Sequence, residues 1–126
     1  MLKKTFSPEN SPKAVGPYNH GTRKDGLVFT AGQIPLDPET NLLVPGGIKE
    51  QTQRVLKNLQ GLLESEGLNL SHVMKTTVFM TDLAEFAAMN EVYARFFVDA
   101  YPARSTIQVA ALPMGAKVEI EAIAHT

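Results

Sequence analysis

The last segment of the chain, residues 117–124 (KVEIEAIA), alternates apolar and polar side chains almost without interruption. Successive side chains of a β-strand point to opposite faces, so a period of two predicts a strand with one buried face. The face predicted to meet a core carries Val118, Ile120, Ala122 and Ala124. The opposite face carries Glu119, Glu121 and Ile123. A chain with this segment has to build a sheet that is covered on one side.

A β-hairpin is predicted near the start of the chain. Asp25–Gly26 separates two extended runs, residues 19–24 and 27–33, and this dipeptide favours the tight primed turn that joins antiparallel strands. Before the hairpin, three prolines exclude regular helix from residues 7–18. After it, prolines and glycines make residues 35–47 a loop.

Two helices are predicted from apolar residues that recur at helical spacing. The first spans residues 48–66, is capped by Gly67, and contains Gly61, which we expect to mark close packing against the sheet. Its apolar stripe consists of Val55, Leu56, Leu59, Leu62 and Leu63. The second helix starts with Asp82 and Glu85, a capping-box-like pair. Its apolar face consists of Phe86, Met89, Tyr93 and Phe97.

Residues 72–80 and 103–110 complete the predicted strands. The order strand–helix–strand–helix–strand, after a leading hairpin, predicts an α+β fold in which a mixed sheet carries both helices on one face. Two helices cannot cover both faces, and a bare face that contains Ile123 is a poor surface for a monomer. We therefore expect the uncovered face to associate with another subunit.

The segment Tyr101–Ala111 places an arginine on this sheet. A period of two puts Arg104 and Thr106 on one face. The other face, expected to meet the helices, carries Ser105, Ile107 and Val109. If the last two strands are neighbours, Arg104 lies on the uncovered face together with Glu119. A guanidinium fixed to a sheet suits the binding of a carboxylate or phosphate, although the segment alone favours a solvated charge at a strand edge.

Composition excludes several classes of function. The chain has 126 residues, 44% of them apolar and 20% charged, which is typical of one globular domain spanning residues 1–126. A formal net charge of −1 gives no electrostatic footprint for nucleic acid or an anionic membrane. There is no cysteine, and His20, His72 and His125 lack the spacing of a metal site and are expected at the surface. With no signal peptide and no membrane-spanning run, a cytoplasmic location is expected.

Five segments together resemble the RidA (YjgF/translation-inhibitor-type) family of small enamine/imine deaminases. They are GPYNHG (16–21), AGQIPLDPET (31–40), QTQRVLKNL (51–59), KTTVFMTDLAEFAAMNEVYARFF (75–97) and PARSTIQVAALPMGAKVEIEAIA (102–124). These segments follow one order over nearly the whole chain, so the resemblance is far more specific than a short motif. It implies a chorismate-mutase-like α+β fold with a mixed six-stranded sheet, and a homotrimer with a ligand cleft at each subunit interface.

The resemblance also implies an activity, the hydrolysis of 2-aminoacrylate, 2-aminocrotonate and their imine tautomers to 2-keto acids and ammonia, without a metal or organic cofactor. Arg104 matches the arginine that binds the substrate carboxylate, and Glu119 matches the glutamate thought to position water. Further positions that match the substrate pocket are Tyr18, Gly32, Asn90 and Thr106. Many deaminating members have serine where this chain has Ala31, so one hydroxyl contact with the substrate is expected to be absent.

The residues themselves leave alternatives open. Glu119 could pair with Arg104 or Lys117 in a structural network. Tyr18 could be a packing residue, and Asn90 could be a buried polar group bonded to the backbone. Two other functions compete with deamination. A non-catalytic carboxylate-binding regulator is favoured by the missing serine hydroxyl, while near-neutral charge makes an endoribonuclease that inhibits translation the weakest of the three.

Overall fold

In a computed structural model of the protein, which describes residues 2–98 and 100–126, six strands form one sheet. They are β1 (Lys4–Phe6), β2 (Gly21–Lys24), β3 (Leu27–Thr30), β4 (Val73–Met80), β5 (Ala103–Gln108) and β6 (Val118–His125). Their order across the sheet is β1-β2-β3-β6-β4-β5. Neighbouring strands are antiparallel except β4 and β5, whose parallel pairing makes the sheet mixed, as predicted.

The predicted hairpin is formed by β2 and β3. Asp25 and Gly26 have φ angles of 52° and 82°, and two positive values in succession are what a primed turn requires. The second strand is shorter than the predicted 27–33, because β3 leaves the ladder after Thr30. One strand was not predicted: β1 pairs with β2 along the outer edge of the sheet.

The first helix, α1 (Ile48–Glu64), ends as the sequence predicts. Gly67 has a φ of 76°, its N–H donates to the carbonyl of Glu64, and the N–H of Leu68 donates to the carbonyl of Leu63. This pair of bonds is the Schellman arrangement, in which a left-handed glycine satisfies the last carbonyls of a helix. The expected close packing at Gly61 is wrong, since a Cβ built there meets no atom within 4 Å.

The second helix, α2 (Phe86–Phe96), begins one turn later than its predicted start. Asp82 caps a short 3₁₀ turn, accepting a hydrogen bond of 2.9 Å from the N–H of Ala84. Glu85 does not complete a capping box, because its carboxylate reaches Lys117 at 3.5 Å. The turn shifts the helix so that Phe86 stays 37% exposed, whereas Met89, Tyr93 and Phe97 are buried as predicted.

Both helices pack on the same face of the sheet and enclose the hydrophobic core. The side chains that β6 was predicted to direct at the helices are all buried: Val118, Ile120, Ala122 and Ala124. The other face has no helix on it among the described residues, and it exposes large apolar side chains such as Phe29 (45%) and Ile107 (46%). Because of this layout, neighbouring residues of one strand point to two different faces of the sheet, one covered by the helices and one uncovered.

Candidate functional site

Arg104 lies on β5, the strand at one edge of the sheet. Its guanidinium carbon, Cζ, is 4.8 Å from the ring centroid of Tyr93 and 5.4 Å from that of Phe86. Both rings belong to α2, so Arg104 faces the helix side of the sheet. The predicted orientation of β5 is therefore wrong, and the side chains exposed on the uncovered face are those of Ser105 and Ile107.

A cavity of about 450 Å³ lies beside the guanidinium of Arg104. It is lined by Asn90, Tyr93, Ala94, Tyr101, Pro102 and Arg104. Oδ1 of Asn90 is buried without a hydrogen-bond partner in the described part of the chain, as is Oγ1 of Thr106, two residues along the same face of β5. A fixed cation beside an unpaired amide oxygen suits a small carboxylate that also carries a hydrogen-bond donor.

A second cavity of about 410 Å³ is lined by Val15, Tyr18, Ala31, Gly32, Ile34, Pro113 and Glu119. The chain leaves the sheet after β3, and the residues that follow, Ala31 and Gly32, line this cavity. The N–H of Ala31 donates to the carbonyl of His20 at 2.7 Å, and Gln33 then rejoins the sheet by exchanging bonds of 2.8 and 3.1 Å with Ile120. Residues 31 and 32 therefore lie outside the pairing with β6, next to the side chain of Glu119.

The carboxyl group of Glu119 rests directly against Gly32, since a Cβ built on that glycine would come within 2.7 Å of Cδ of Glu119. Burial raises the pKa of Glu119, and the nearby charge of Glu121 raises it further. Glu119 has no ion-pair partner among the described residues, because Lys117 is paired with Glu85. A carboxyl group with a raised pKa beside an open cavity is suited to general acid–base chemistry.

Alanine in place of Gly32 is expected to lower turnover by roughly 10- to 100-fold, because its methyl group displaces the carboxyl group of Glu119 from its position. The measurement is kcat/KM for an imine of the kind that the family resemblance implies, 2-iminopropanoate generated in solution. Gly61→Ala is the matched control, since its Cβ has open space within a helix. Gly61→Ala should keep full turnover and gain about 1 kcal/mol of stability. Equal turnover for Gly32→Ala and wild type would contradict this role of the glycine.

The two cavities belong to opposite faces of the sheet. In the register, Arg104 is opposite Thr76 of β4, which is fully buried under the helices. Glu119 is opposite Phe79 of the same strand, one of the residues that alternate to the uncovered face. The last two strands are not neighbours, because β4 lies between them. The expectation that Arg104 and Glu119 share one sheet face is therefore wrong, and one chain carries two separate cavities.

His20 differs from what the sequence predicts for its surroundings, and Tyr18 does not take the packing role that the sequence left open. Tyr18 is 45% exposed and its hydroxyl accepts a hydrogen bond of 3.3 Å from the N–H of Val15, so it is not a core packing residue. His20, expected at the surface, is only 5% exposed and meets the Tyr18 ring edge-on at 6.1 Å. Burial lowers the pKa of His20, and this residue lines a different cavity, formed with residues 7–9 and 11–14.

Sequence reasoning missed Tyr101 as a lining residue and took Tyr93 for core only. No periodic signal marks Tyr101, since it lies before β5 and is 66% exposed.

In the described ranges, no group of three or more potential metal ligands comes together. Nor is either helix there long and apolar enough to cross a membrane.

A mixed six-stranded sheet with two helices on one face and an arginine-lined cavity at its edge defines a chorismate-mutase-like α+β protein. The family model described as Endoribonuclease L-PSP matches residues 8–126. Protein DfrA of Myxococcus xanthus is 49% identical over 126 residues, which cover 98% of this chain and 96% of the relative. The 2-iminobutanoate/2-iminopropanoate deaminase of mouse is 43% identical over 124 residues, covering 98% and 92%.

Solved structures agree with the sequence matches. The crystal structure of Escherichia coli TdcF with bound serine superposes with a TM-score of 0.93 at 42% identity, covering 98% of each chain. The chain therefore belongs to the RidA (YjgF) family, the family of the Endoribonuclease L-PSP model, and the resemblance found in the sequence is confirmed.

Proposed function

We propose that this protein hydrolyses reactive enamines and imines of small amino acids, such as 2-aminoacrylate, 2-aminocrotonate and their imine tautomers, to 2-keto acids and ammonia. It would thus be a 2-iminobutanoate/2-iminopropanoate deaminase, the activity named for the mouse relative. The observation that carries the proposal is the guanidinium of Arg104, which lines a cavity of about 450 Å³ without an ion-pair partner among the residues described.

The proposed reaction adds water to the C=N bond of the imine. Arg104 binds the carboxylate through two parallel N–H···O bonds and so fixes the orientation of the imine carbon. The carboxylate of Glu119 takes a proton from the attacking water as the C–O bond forms. The protonated carboxyl group returns this proton to nitrogen, which gives a carbinolamine with an –NH2 group. Glu119 then takes the hydroxyl proton as the C=O bond forms and passes it to the nitrogen, so that ammonia leaves as the C–N bond breaks. Burial raises the pKa of Glu119 above its usual range, and a more basic carboxylate is better suited to take a proton from water.

We further propose that the complete site forms between subunits of a homotrimer. The supporting observation is that the cavities of Arg104 and Glu119 lie on opposite faces of one sheet, so that neither cavity holds both groups. An uncovered face with exposed Phe29 and Ile107 supplies apolar surface for such an assembly. Asn90 and Thr106 would then serve the ligand from one subunit, and Tyr18, Ala31 and Gly32 from the next.

Mixing two inactive variants tests the shared site. Arg104→Ala and Glu119→Gln chains, expressed together, should regain about a quarter of wild-type turnover, because random assortment leaves that share of clefts with both native residues. Turnover is measured on the trimer fraction from size-exclusion chromatography. Each variant expressed alone is the control. A mixed sample no more active than the separate variants would contradict a site that draws Arg104 and Glu119 from different subunits.

A non-catalytic carboxylate-binding regulator is the second candidate, favoured by Ala31, which offers the second cavity a methyl group and no hydroxyl. Stopped-flow loss of 2-aminoacrylate, generated in place by a dehydratase, decides between the two. Acceleration by the wild type supports the deaminase, and pyruvate binding without acceleration supports the regulator. RNA cleavage that co-purifies with the protein would favour the endoribonuclease of the family model's description instead. Cytoplasmic location and the absence of nucleic-acid or membrane partners stay predictions.

A further inference from the structure

The guanidinium of Arg104 is held against aromatic rings. Its Cζ is 4.8 Å from the centroid of Tyr93 and 5.4 Å from the centroid of Phe86, both within the range of an attractive cation–π contact. The ring of Tyr93 is itself fixed: it is 4% exposed, and its hydroxyl oxygen lies 2.7 Å from Oγ1 of Thr76. Thr76 is the strand partner of Arg104 in the β4–β5 register.

This arrangement differs from an arginine held by acidic side chains. A carboxylate partner would occupy the N–H donors of the guanidinium, whereas an aromatic ring attracts the cation through its π-face and accepts none of those donors in a planar hydrogen bond. Within the described ranges, Arg104 forms neither an ion pair nor a side-chain hydrogen bond. Its fork of donors thus remains available on the side of the cavity.

Phe86 has no evident role in the core to explain its position. It begins α2 with 37% of its surface exposed, next to Leu83, which is exposed to a similar degree at 39%. Of these two apolar side chains, Phe86 contacts the guanidinium of Arg104. The turn capped by Asp82 delays the start of α2, and the ring of Phe86 lies beside Arg104 of β5.

We propose that Phe86 and Tyr93 are positioning residues that hold Arg104 by aromatic contact and so keep its N–H donors free for the carboxylate of a ligand. The identity of that ligand as an imino or keto acid rests on the proposed function. The aromatic contact itself does not, because any small carboxylate in this cavity would use the same donors.

Phe86 is the residue to vary, since its exposure makes a folded variant attainable. Phe86→Leu should weaken the binding of pyruvate, measured by isothermal titration calorimetry, by about 3- to 30-fold. Phe86→Tyr keeps an aromatic face and should restore wild-type affinity within about twofold. Leu83→Ala, which removes an equally exposed apolar side chain, is the matched control and should bind as wild type does. In turnover, Phe86→Leu should raise KM with little change in kcat.

The outcomes separate the aromatic contact from the proposed activity. If Phe86→Leu binds pyruvate as tightly as wild type, or Phe86→Tyr binds no better than Phe86→Leu, the positioning role is wrong whatever the turnover shows. If affinity follows the aromatic ring but the wild type hydrolyses no imine, the positioning role stands and the deaminase proposal fails. A wild type that does not bind pyruvate contradicts both. Equal melting temperatures among the variants support a local effect, and a large drop for Phe86→Leu alone contradicts it.

Discussion

Replacing Arg104 with alanine is expected to lower kcat/KM for 2-iminopropanoate by about 100-fold or more. In the proposed site, this change removes two charge-assisted hydrogen bonds to the substrate carboxylate, each contributing about 1.5–3 kcal/mol, and the substrate also loses its fixed orientation. The guanidinium lies over α2 with its cavity open beside it, so no described acidic partner is left unpaired by the change. The loss should therefore show in turnover and in pyruvate affinity rather than in folding.

Arg104→Lys sharpens this test because it keeps the charge. A lysine ammonium cannot form two parallel bonds to one carboxylate and stacks less well on a ring, so we expect it to recover only part of the lost kcat/KM. Arg95→Ala is the matched control, since Arg95 lies on α2 with its side chain 62% exposed and paired with Glu91. Wild-type turnover for Arg104→Ala, measured on a correctly assembled sample, would rule out the carboxylate-binding role.

The sequence carries most of the fold because its strongest patterns are local. The alternation of β6, the Asp25–Gly26 turn and the glycine cap at Gly67 each follow from the stereochemistry of a few neighbouring residues, and all three are confirmed. β1 was missed for the opposite reason: Lys4–Phe6 is too short to show a period and forms a strand only because β2 pairs with it. The predicted capping box failed because Glu85 has a distant partner, Lys117.

The orientation of β5 shows what the periodicity of a sequence cannot predict. Alternation predicts two faces but does not say which face meets the helices. Apolar side chains usually mark the covered face, yet here Ile107 and Phe29 are exposed on the uncovered face, so apolarity marks both. The orientation is decided by the register with β4, where Arg104 is opposite buried Thr76. This is a long-range pairing that the segment itself does not encode.

The same limit applies to the candidate site. Family resemblance identified residues that, except for Thr106, do line cavities, and it placed them in a cleft between subunits. It did not indicate that the cavities of Arg104 and Glu119 lie on opposite faces of a single chain. The aromatic rings around Arg104 had no sequence signal, because a Phe and a Tyr at helical spacing are normally core residues. Their contact with a cation arises from the packing of α2 over the edge of the sheet.

Glu119→Gln is expected to lower kcat by about 10²- to 10⁴-fold while leaving pyruvate affinity within a few-fold of wild type. Glutamine keeps the shape of the side chain and its place against Gly32, but it cannot accept and return a proton. Pyruvate needs no proton transfer to bind, so titration calorimetry separates a lost catalytic group from a disturbed pocket. Glu121→Gln, on the same face of β6 and exposed, is the control and should stay within a few-fold of wild-type turnover. Unchanged kcat for Glu119→Gln would remove Glu119 from the mechanism.

The same substitution is expected to stabilise the folded protein in a pH-dependent way. Burial, with a smaller contribution from Glu121, raises the pKa of Glu119 in the folded state above its unfolded value. Ionised Glu119 therefore lowers the free energy of unfolding. This destabilisation is absent below the pKa of Glu119 in the unfolded chain, grows as the pH rises through that pKa, and is complete above the pKa in the folded protein. Glu119→Gln removes this penalty, so urea unfolding should show a more stable variant at pH about 7 and a difference near zero at pH about 4. A variant that loses turnover and gains stability only near neutral pH would show that Glu119 serves function at a cost to the stability of the fold. If the variant and the wild type are equally stable at both pH values, the charged form of Glu119 does not destabilise the folded protein.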